Sequence, residues 1–357
     1  MDTPSRRALH DALAQVAPGT PLREGLDRIV KARMGALVVV GGGPTVLDIC
    51  SGGFLLDAAF SPQRLSELAK MDGAIILASD TSRIARANVH LLPDPAVTTS
   101  ETGTRHRTAE RTARSLGVPV ISVSEDMSVI AVYVGDTKHV LEDSPRLLNR
   151  ANQALQTLER YKTRLDDAAA SLSALEVENL VRVRDVANLL QRSEMVRRIA
   201  DEIDTYTVEL GADARLIRIQ LDELMSDVED DRQAVIDDYL CSSSSDTAID
   251  ALRRMAGIDT DELLDLRKVA SILSLPAEDA LLDASLTARG YRMLHRLPDL
   301  DPALARQLVH RFGDLPSMQN ATASELASVN GIDATLAAAI KEDLGLLTDA
   351  SILSRYS

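Results

Sequence analysis

The first 145 residues alternate short apolar runs with stretches of helical spacing. The apolar runs are bounded by Gly or Asp, as buried strands are, and they cover residues 36–40, 74–78, 118–123 and 129–134. Helical spacing covers residues 22–33, 62–70 and 105–116, and Gly117 stands where the last of these helices would end. The pattern predicts an α/β N-terminal domain with a central mixed sheet flanked by helices.

From about Ser144 the pattern changes to long helices. Apolar residues follow a three-four spacing from Leu148 to Leu175, with charged and amide side chains between them. A second helical run spans Leu210 to Leu240. An apolar stripe of this kind is more typical of a bundle core than of a ligand site. We therefore expect an all-α spine that serves as a spacer or in oligomerisation.

The last part of the chain, residues 291–357, consists of short helices joined by tight turns near 297–302 and 329–333. This layout predicts a small all-α domain with two helix-hairpin-helix units. Such units bind the DNA backbone through turn N–H groups that meet phosphates. Here Asp299, Asp301 and Asp333 stand at glycine-like places, and acids repel phosphate. DNA binding by the hairpins therefore stays open at this point.

Composition and charge limit the classes of function. Aromatic residues make up only 3% of the 357 residues and Trp is absent, so the cores must be built from Leu, Val, Ile and Ala. The net charge of −15 comes mainly from residues 150–290, and no region has the basic surplus of a strong nucleic-acid binder.

No apolar run is long enough for a membrane span, and the N-terminus has no secretory pattern. Cys50 and Cys241 lie far apart without a CxxC pattern, which favours two isolated thiols in a reducing compartment. These features predict a cytoplasmic protein that does not associate with a membrane.

The most specific candidate chemistry is Gly103-Thr104-Arg105-His106-Arg107, at the predicted start of a helix. Basic residues are disfavoured at helix starts, so two Arg and a His in a first turn indicate a bound anion. Free backbone N–H groups and two arginine forks together favour polyphosphate over the alternative of a solvated basic turn. The Thr104 hydroxyl serves either the helix as an N-cap or the ligand.

An acid precedes one of the apolar strands, in Asp72-Gly73-Ala74. Alone, an Asp-Gly pair is more typical of a turn in which the Asp accepts local backbone hydrogen bonds. Beside a polyphosphate site, the same carboxylate indicates a divalent cation. The combination of the two motifs favours the metal ligand.

Other candidates have plainer interpretations. Gly41–Gly43 and Gly52–Gly53 match no phosphate-binding motif, and a tight connection between strands is favoured for both. The histidines other than His106 lack metal-ligand spacing and are assigned to surface or core. Ser122 or Ser124, at the end of the strand after the basic motif, could hydrogen-bond a phosphate, although a strand-end serine needs no such role.

The acid and the basic motif together resemble the signature of bacterial diadenylate cyclases. The whole chain resembles the DNA-integrity scanning diadenylate cyclase family, which has a cyclase domain, a helical spine and a helix-hairpin-helix domain in this order. The longest match is Pro93-Asp94-Pro95 followed by the run from Glu101 to Arg111. The corresponding domains here would be residues 1–145, 146–290 and 291–357.

The resemblance implies roles for individual residues. Asp72 would be the ligand of Mg²⁺ or Mn²⁺ and the activator of a ribose 3′-hydroxyl, and Gly73 would line the nucleotide pocket. Leu91 would meet adenine through its backbone. The triphosphate would be held by Thr104, Arg105, His106 and Ser124, with Arg107 supporting them. In the second hairpin, Asn330 and Gly331 would contact DNA.

The activity that the resemblance implies is the condensation of two ATP into the second messenger cyclic di-AMP and two pyrophosphates. The two nucleotides would react across a subunit interface in a homo-octamer, with possible regulation by branched DNA. The competing hypothesis is a DNA-binding scaffold whose α/β domain only senses nucleotide. The acid and basic motifs favour the enzyme, and the acidic hairpins weaken the scaffold.

Overall fold

The computed structural model describes residues 3–241, 247–297 and 300–355, so Asp299 of the first hairpin lies outside the described residues. The chain forms two compact units. The first comprises Met1–Gln153 and Glu202–Ile219, and the second comprises Ala154–Asp201 and Gln220–Ser357. The division into three domains, at 145 and 290, stays a prediction.

The bounds of the regular elements are as follows. The strands are β1 Ala36–Val40, β2 Cys50–Ser51, β3 Phe54–Ala59, β4 Ala74–Leu77, β5 Arg83–Leu91, β6 Val120–Val123, β7 Ile130–Val134 and β8 Thr137–Val140. The helices of the N-terminal half are α1 Thr3–Gln15, α2 Pro21–Lys31, α3 Pro44–Asp48, α4 Pro62–Leu68, α5 Thr104–Leu116, α6 Ser144–Val177 and α7 Val183–Leu210. The later helices are α8 Arg215–Met225, α9 Val228–Tyr239, α10 Ala248–Gly257, α11 Thr260–Leu263, α12 Leu266–Ile272, α13 Tyr291–His295, α14 Pro302–Phe312, α15 Leu315–Asn320, α16 Ala323–Leu326 and α17 Ala334–Arg355. Short 3₁₀ turns cover Gly211–Ala214 and Asp279–Leu281.

The strands of the described residues form one eight-stranded sheet in the order β2-β5-β4-β1-β6-β7-β8, with β3 also paired to β5. The β1–β4 pair is parallel, and the other strand pairs are antiparallel. The sheet is therefore mixed, and the predicted fold class is confirmed.

Both faces of the sheet are covered, which is why its central strands are apolar throughout. In β1, Val38 and Val40 belong to a core built with α1, α2 and α4. Leu37 and Val39, on the other face, pack with Ala109 and Ala113 of α5. This alternation places α5, and with it the basic motif, on the second face.

The predicted strands and helices agree closely with these elements, but one helical run does not. The predicted run from Leu210 to Leu240 is divided into a 3₁₀ turn, α8 and α9. Gly211 has φ of 54°, in the left-handed region, and an added Cβ there would lie 2.5 Å from the Pro18 oxygen. The glycine, which the backbone at Pro18 approaches closely, therefore separates α7 from the predicted run, and the run itself is divided at Ser226 and Asp227, between α8 and α9.

The second unit carries buried ion pairs as well as an apolar core. Glu194 is fully buried and accepts hydrogen bonds from Arg197, Arg198 and Arg232. Glu176 accepts from Arg292 at 2.6 Å, and both residues are buried. Buried charges persist only when paired in this way. The paired acids account for part of the acidic surplus of the middle of the chain.

The hairpin acids have a structural task. Asp301 accepts a hydrogen bond from the Ala303 N–H at the start of α14, and Asp333 accepts one from the Leu336 N–H at the start of α17. Both are therefore helix N-caps. Asn330 and Gly331 are exposed in the turn before α17, and Gly331 has φ of 91°.

No helix in the part of the chain that the structure describes is both long and apolar enough to span a membrane. Neither Cys50 nor Cys241 forms a disulfide in the described part of the chain, in agreement with the prediction.

Candidate active site

Both sequence motifs lie at the same end of the sheet. Strands β1 and β4 begin at this end and strands β5 and β6 finish there, because Leu37 pairs with Ala74, Ala36 with Val123 and Ala74 with Val89. Helix α5 also begins here. Between these elements lies a cavity of about 660 Å³. Its size is within the range of small-molecule sites.

The cavity brings together seven of the eight residues predicted for catalysis and nucleotide binding. They are Asp72, Gly73, Leu91, Thr104, Arg105, His106 and Ser124. The Arg107 side chain is exposed and does not line the cavity, because its position on α5 directs it elsewhere. Its supporting role stays a prediction.

The first turn of α5 presents unpaired backbone N–H groups to the cavity. The N-cap is Gly103, which has no side chain to accept from these groups, and the first turn contains no acid. Thr104 is the first helical residue and not the N-cap, so its hydroxyl is available to a ligand. A helix start with this composition is suited to an anion.

Arg105 reaches back from α5 across Gly35, the residue before β1. A Cβ added at Gly35 would lie 2.0 Å from Nη1 and 2.6 Å from Cζ of Arg105. The guanidinium therefore occupies the space that any side chain at position 35 would need. Its Nη2 lies 3.8 Å from Oδ1 of Asp72, which brings the two predicted motifs together.

Asp72 is fully exposed at the mouth of the cavity, with a side-chain exposure of 103%. The following glycine packs on β5, where a Cβ at Gly73 would lie 2.7 Å from the Asn88 Cα. A side chain at position 73 would push the acid away from Arg105. The Asp-Gly pair is thus a close-packed turn that leaves the carboxylate free for a ligand.

His106 is held by a chain of polar groups behind the cavity. Its Nδ1 lies 2.9 Å from the Tyr133 hydroxyl, and that hydroxyl lies 3.2 Å from Oε1 of Glu101. The same carboxylate oxygen lies 2.6 Å from Nζ of Lys138. Tyr133 is only 1% exposed, in the core between the sheet and α5.

Burial is the largest cause of the perturbed pKa values of His106 and Tyr133. It lowers the pKa of the His106 imidazole, and Glu101 opposes the shift while Lys138 and Arg105 add to it. Burial, together with the charge of Glu101, raises the pKa of the Tyr133 hydroxyl well above its ordinary value. Tyr133 therefore remains a phenol, with one proton to donate, over the whole physiological range.

A buried acid on α5 fixes the loop that leads into the basic motif. Glu110 is 7% exposed and accepts hydrogen bonds from the Thr99 hydroxyl and from the Ser100 N–H at 3.0 Å. Burial acts to raise the pKa of Glu110, but the hydrogen bonds from Thr99 and Ser100 outweigh it, so the pKa is lowered. Position 110 thus keeps a charged carboxylate that ties residues 99–100 to the helix.

The residues present fit a cation that is shared with a substrate. Among the described residues, no group of three or more His, Cys, Asp or Glu is placed to hold a metal. Asp72 is an exposed carboxylate beside an anion-binding helix start, and Glu125 and Asp126 line the same cavity. Mg²⁺ is commonly bound by one or two carboxylates together with substrate phosphates.

Sequence reasoning missed several residues of the site. His90, assigned above to surface or core, lines the cavity, as do Glu125 and Asp126. Gly35 and Tyr133 were not singled out either. Tyr133 had one signal: a buried tyrosine in a chain with few aromatics needs a partner for its hydroxyl. Gly35 had none, because its contact with Arg105 joins residues that are 70 positions apart.

Comparison with known families identifies two segments of the chain. Residues 23–138 match the model described as the nucleotide-binding region of the DisA bacterial checkpoint controller, and residues 141–282 match the model of its linker region. The first segment contains every residue named above around the cavity.

Curated relatives match over nearly the full length. A DNA integrity scanning protein DisA from Kineococcus radiotolerans is 51% identical over 98% of this chain and 97% of its own. One from Streptomyces coelicolor is 49% identical over 97% of this chain and 93% of its own. Among solved structures, DacA from Staphylococcus aureus aligns with 40% of this chain and 91% of its own, at 23% identity and a TM-score of 0.29, which is too low to support an argument.

Proposed function

The chain belongs to the family of DisA DNA integrity scanning proteins, and on that premise we propose that it is a diadenylate cyclase, which joins two ATP molecules into cyclic di-AMP. The observation that carries the proposal is the meeting of Asp72 and Arg105 at the open start of α5. A carboxylate for a divalent cation and an anion-binding helix start are the two parts that a nucleotidyl transfer needs.

The cavity suggests one orientation for ATP. The triphosphate would lie at the first turn of α5, within reach of Arg105, His106 and the Thr104 hydroxyl. Ser124 lies at the end of β6, and its Oγ already accepts from the Met127 N–H, which leaves its hydroxyl proton for a phosphate. The adenine would then extend towards Leu91, the last residue of β5.

The reaction forms a bond between the ribose 3′-oxygen of one ATP and the α-phosphorus of another. The bond from that phosphorus to the pyrophosphate oxygen breaks, and the 3′-hydroxyl proton passes to the Asp72 carboxylate. A bound Mg²⁺ or Mn²⁺ would neutralise charge at the α-phosphate. Arg105 and His106 hold the departing pyrophosphate, so positioning and charge neutralisation supply most of the rate.

Stoichiometry requires two protein copies. Cyclic di-AMP has two equivalent phosphodiester links, whereas the cavity has one pair of Asp72 and Arg105 at one anion-binding helix start. Each chain would hold one ATP, and the 3′-hydroxyl of each would face the α-phosphate of the other. We therefore propose a homo-oligomer with facing cavities, an octamer by family resemblance, in which an isolated chain is inactive.

The proposal predicts the product. Purified protein incubated with ATP and Mg²⁺ or Mn²⁺ should yield cyclic di-AMP and two pyrophosphates per product, as identified by mass spectrometry. Chelation of the cation should stop the reaction, because the positive charge that the cation supplies at the α-phosphate is then lost. If an assembled and folded sample leaves ATP unchanged while still binding it, the alternative of a nucleotide-sensing scaffold is correct.

A second surface supports DNA as a partner. In the second unit, a cavity of about 420 Å³ lies beside the turn that contains Asn330, and Arg306, His310 and Arg311 of α14 line it. Among the described residues no acid lines this cavity, and Asp301 and Asp333 are engaged as helix caps outside it. We propose that this face, with Asn330 and Gly331, contacts the DNA backbone.

Binding to a fluorescent four-way junction would test the DNA proposal. Replacing Arg306 with Ala should weaken binding at every sequence and lower the slope of log affinity against log salt by about one. Arg253, an exposed arginine of α10 in the same unit, is the matched control and should have no such effect when replaced. If the salt slope of the Arg306 variant is unchanged, this face does not carry the DNA.

A further inference from the structure

The geometry points to Tyr133 and Glu101 as positioning residues that fix the tautomer of His106 and direct its Nε2 to the substrate phosphates. The inference rests on the proposed function, because it concerns how the same cavity binds ATP. It is carried by the chain of polar contacts from Lys138 through Glu101 and Tyr133 to His106.

The direction of each hydrogen bond follows from the groups involved. Glu101 is paired with the Lys138 ammonium and, as a carboxylate, can only accept. Tyr133 has one hydroxyl proton, and that proton goes to Glu101. The Tyr133 oxygen must then accept from His106, so Nδ1 of the imidazole carries a proton in both of its charge states.

The other ring nitrogen is left for the ligand. Among the described residues, His106 Nε2 makes no hydrogen bond, and His106 lines the cavity. With Nδ1 always protonated, Nε2 is the atom that gains or loses the titrating proton. A phosphate oxygen accepts only from a protonated Nε2, so a bound polyphosphate favours the imidazolium.

Rigid elements hold this arrangement in place. Tyr133 and Lys138 are directly opposite one another in the β7–β8 pair, so the strand register brings the ammonium to the ring, with Nζ 5.8 Å from the ring centroid. The Tyr133 ring is buried against α5, and the His106 ring lies 6.3 Å away, centroid to centroid. The Tyr133 ring cannot turn without disturbing the core, and it gives His106 Nδ1 a fixed partner.

The surroundings of His106 determine the protonation state of its imidazole in the protein without nucleotide. Burial disfavours the imidazolium, Glu101 favours it, and Lys138 and Arg105 disfavour it, so the pKa of His106 is lowered. On the cavity side the other titratable groups are Asp72, His90, Glu125 and Asp126. The free imidazole is therefore largely neutral at pH 7.5, and nucleotide binding should take up a proton.

The sign of the pH dependence follows. Affinity for nucleotide should be highest below the pKa of free His106 and should fall as the pH rises above it. The fall ends at the higher pKa of the complex, because the imidazole is then neutral whether or not nucleotide is bound. Without Tyr133, Nδ1 loses its fixed partner and the imidazolium loses its link to Glu101.

Calorimetry of 3′-deoxyATP binding with Mg²⁺ would measure this directly, since the analogue lacks the attacking hydroxyl. Titrations at pH 7.5 in buffers of different ionisation enthalpy give the number of protons taken up. The wild-type protein should take up a fraction of a proton that the His106→Gln variant does not. Tyr133→Phe should reduce this fraction and raise the dissociation constant about tenfold, as expected for loss of a hydrogen bond to a charged group.

Two further variants separate positioning from a general structural effect. Glu101→Gln should lower the proton uptake in the same direction, and it remains informative if Tyr133→Phe folds poorly. Tyr206→Phe is the matched control, because the Tyr206 hydroxyl also lies between a basic group, Arg150, and an acid, Glu202, in the same unit. That control should leave both affinity and proton uptake unchanged.

The outcomes distinguish this inference from the proposed function. If the wild-type protein binds the analogue without any proton uptake that depends on His106, the tautomer assignment is wrong and the cyclase proposal is unaffected. If Tyr133→Phe and the wild type bind the analogue with equal affinity and equal proton uptake, the tautomer assignment is also wrong. If the wild-type protein binds no analogue at all, the proposed function fails and this inference fails with it.

Discussion

Replacing Asp72 with Asn should lower the rate of cyclic di-AMP synthesis by about a thousandfold or more, the scale expected when an acid-base group and a metal ligand are lost together. The carboxylate is the acid next to Arg105 at the start of α5, and the amide neither takes the 3′-hydroxyl proton nor neutralises a cation. The initial rate at saturating ATP and metal measures the effect.

The fold should be unaffected by this change. Asp72 is fully exposed, and its contact with Arg105 is a surface ion pair at 3.8 Å, of a kind that contributes little to stability. The thermal unfolding midpoint and the oligomeric state should therefore match the wild type. Asp48→Asn is a matched control, because Asp48 is an exposed aspartate of α3 outside the cavity. Full activity in Asp72→Asn would show that another group activates the hydroxyl.

Adding a single methyl group at Gly35 should also impair the enzyme severely. The new Cβ would lie 2.0 Å from Nη1 of Arg105, so the guanidinium has to leave its place beside Asp72. A displacement of about 1 Å at a catalytic group can cost about a hundredfold in rate, and we expect a loss in kcat/KM of that order. Steady-state kinetics with ATP would measure it.

The Gly35→Ala variant should still fold normally. The backbone at Gly35 is outside the left-handed region, and the atoms in the way are the end of a flexible side chain. Gly43→Ala is the control, because a Cβ there meets nothing within 4 Å. An unfolding midpoint far below that of the wild type would mean that the methyl group disturbs the sheet and not only Arg105.

A double-mutant cycle makes the cause specific. If Gly35→Ala acts only by moving Arg105, it should have almost no further effect in an Arg105→Ala background. Losses that simply add would mean that Gly35 contributes to activity by another route.

The fold of the first unit was predictable because its signals are local. The apolar run at 36–40 is bounded by glycines, and the run at 74–78 is bounded by Gly73 on one side, so β1 was located in full and β4 to within one residue. Strand β3 escaped prediction because it is exposed nearly throughout, with Phe54 and Leu55 at 55% and 77% exposure, so no alternation marks it. The run from Leu210 to Leu240 was predicted as one helical stretch because the turn at Ser226 and Asp227, which divides α8 from α9, carries no Gly or Pro to mark it.

The residues of the candidate site also fall into two groups: those that the sequence marks and those that only the structure brings together. The run from Thr104 to His106 breaks a local preference, because cations are disfavoured at a helix start, and such a conflict is visible in a sequence. Asp72 conflicts with nothing by itself, and it was singled out because it occurs together with that run. Gly35, Tyr133 and His90 conflict with nothing around them. Their roles arise only when β1, β7 and β5 come together around α5, so they required the structure.

The most direct measurement is product analysis by mass spectrometry, with wild-type protein and Asp72→Asn incubated side by side with ATP and Mg²⁺ or Mn²⁺. The account predicts cyclic di-AMP from the wild type and only traces from the equally folded and assembled variant. Unchanged ATP in the wild-type reaction, or equal amounts of product in both, would contradict the assignment of this cavity as a diadenylate cyclase site.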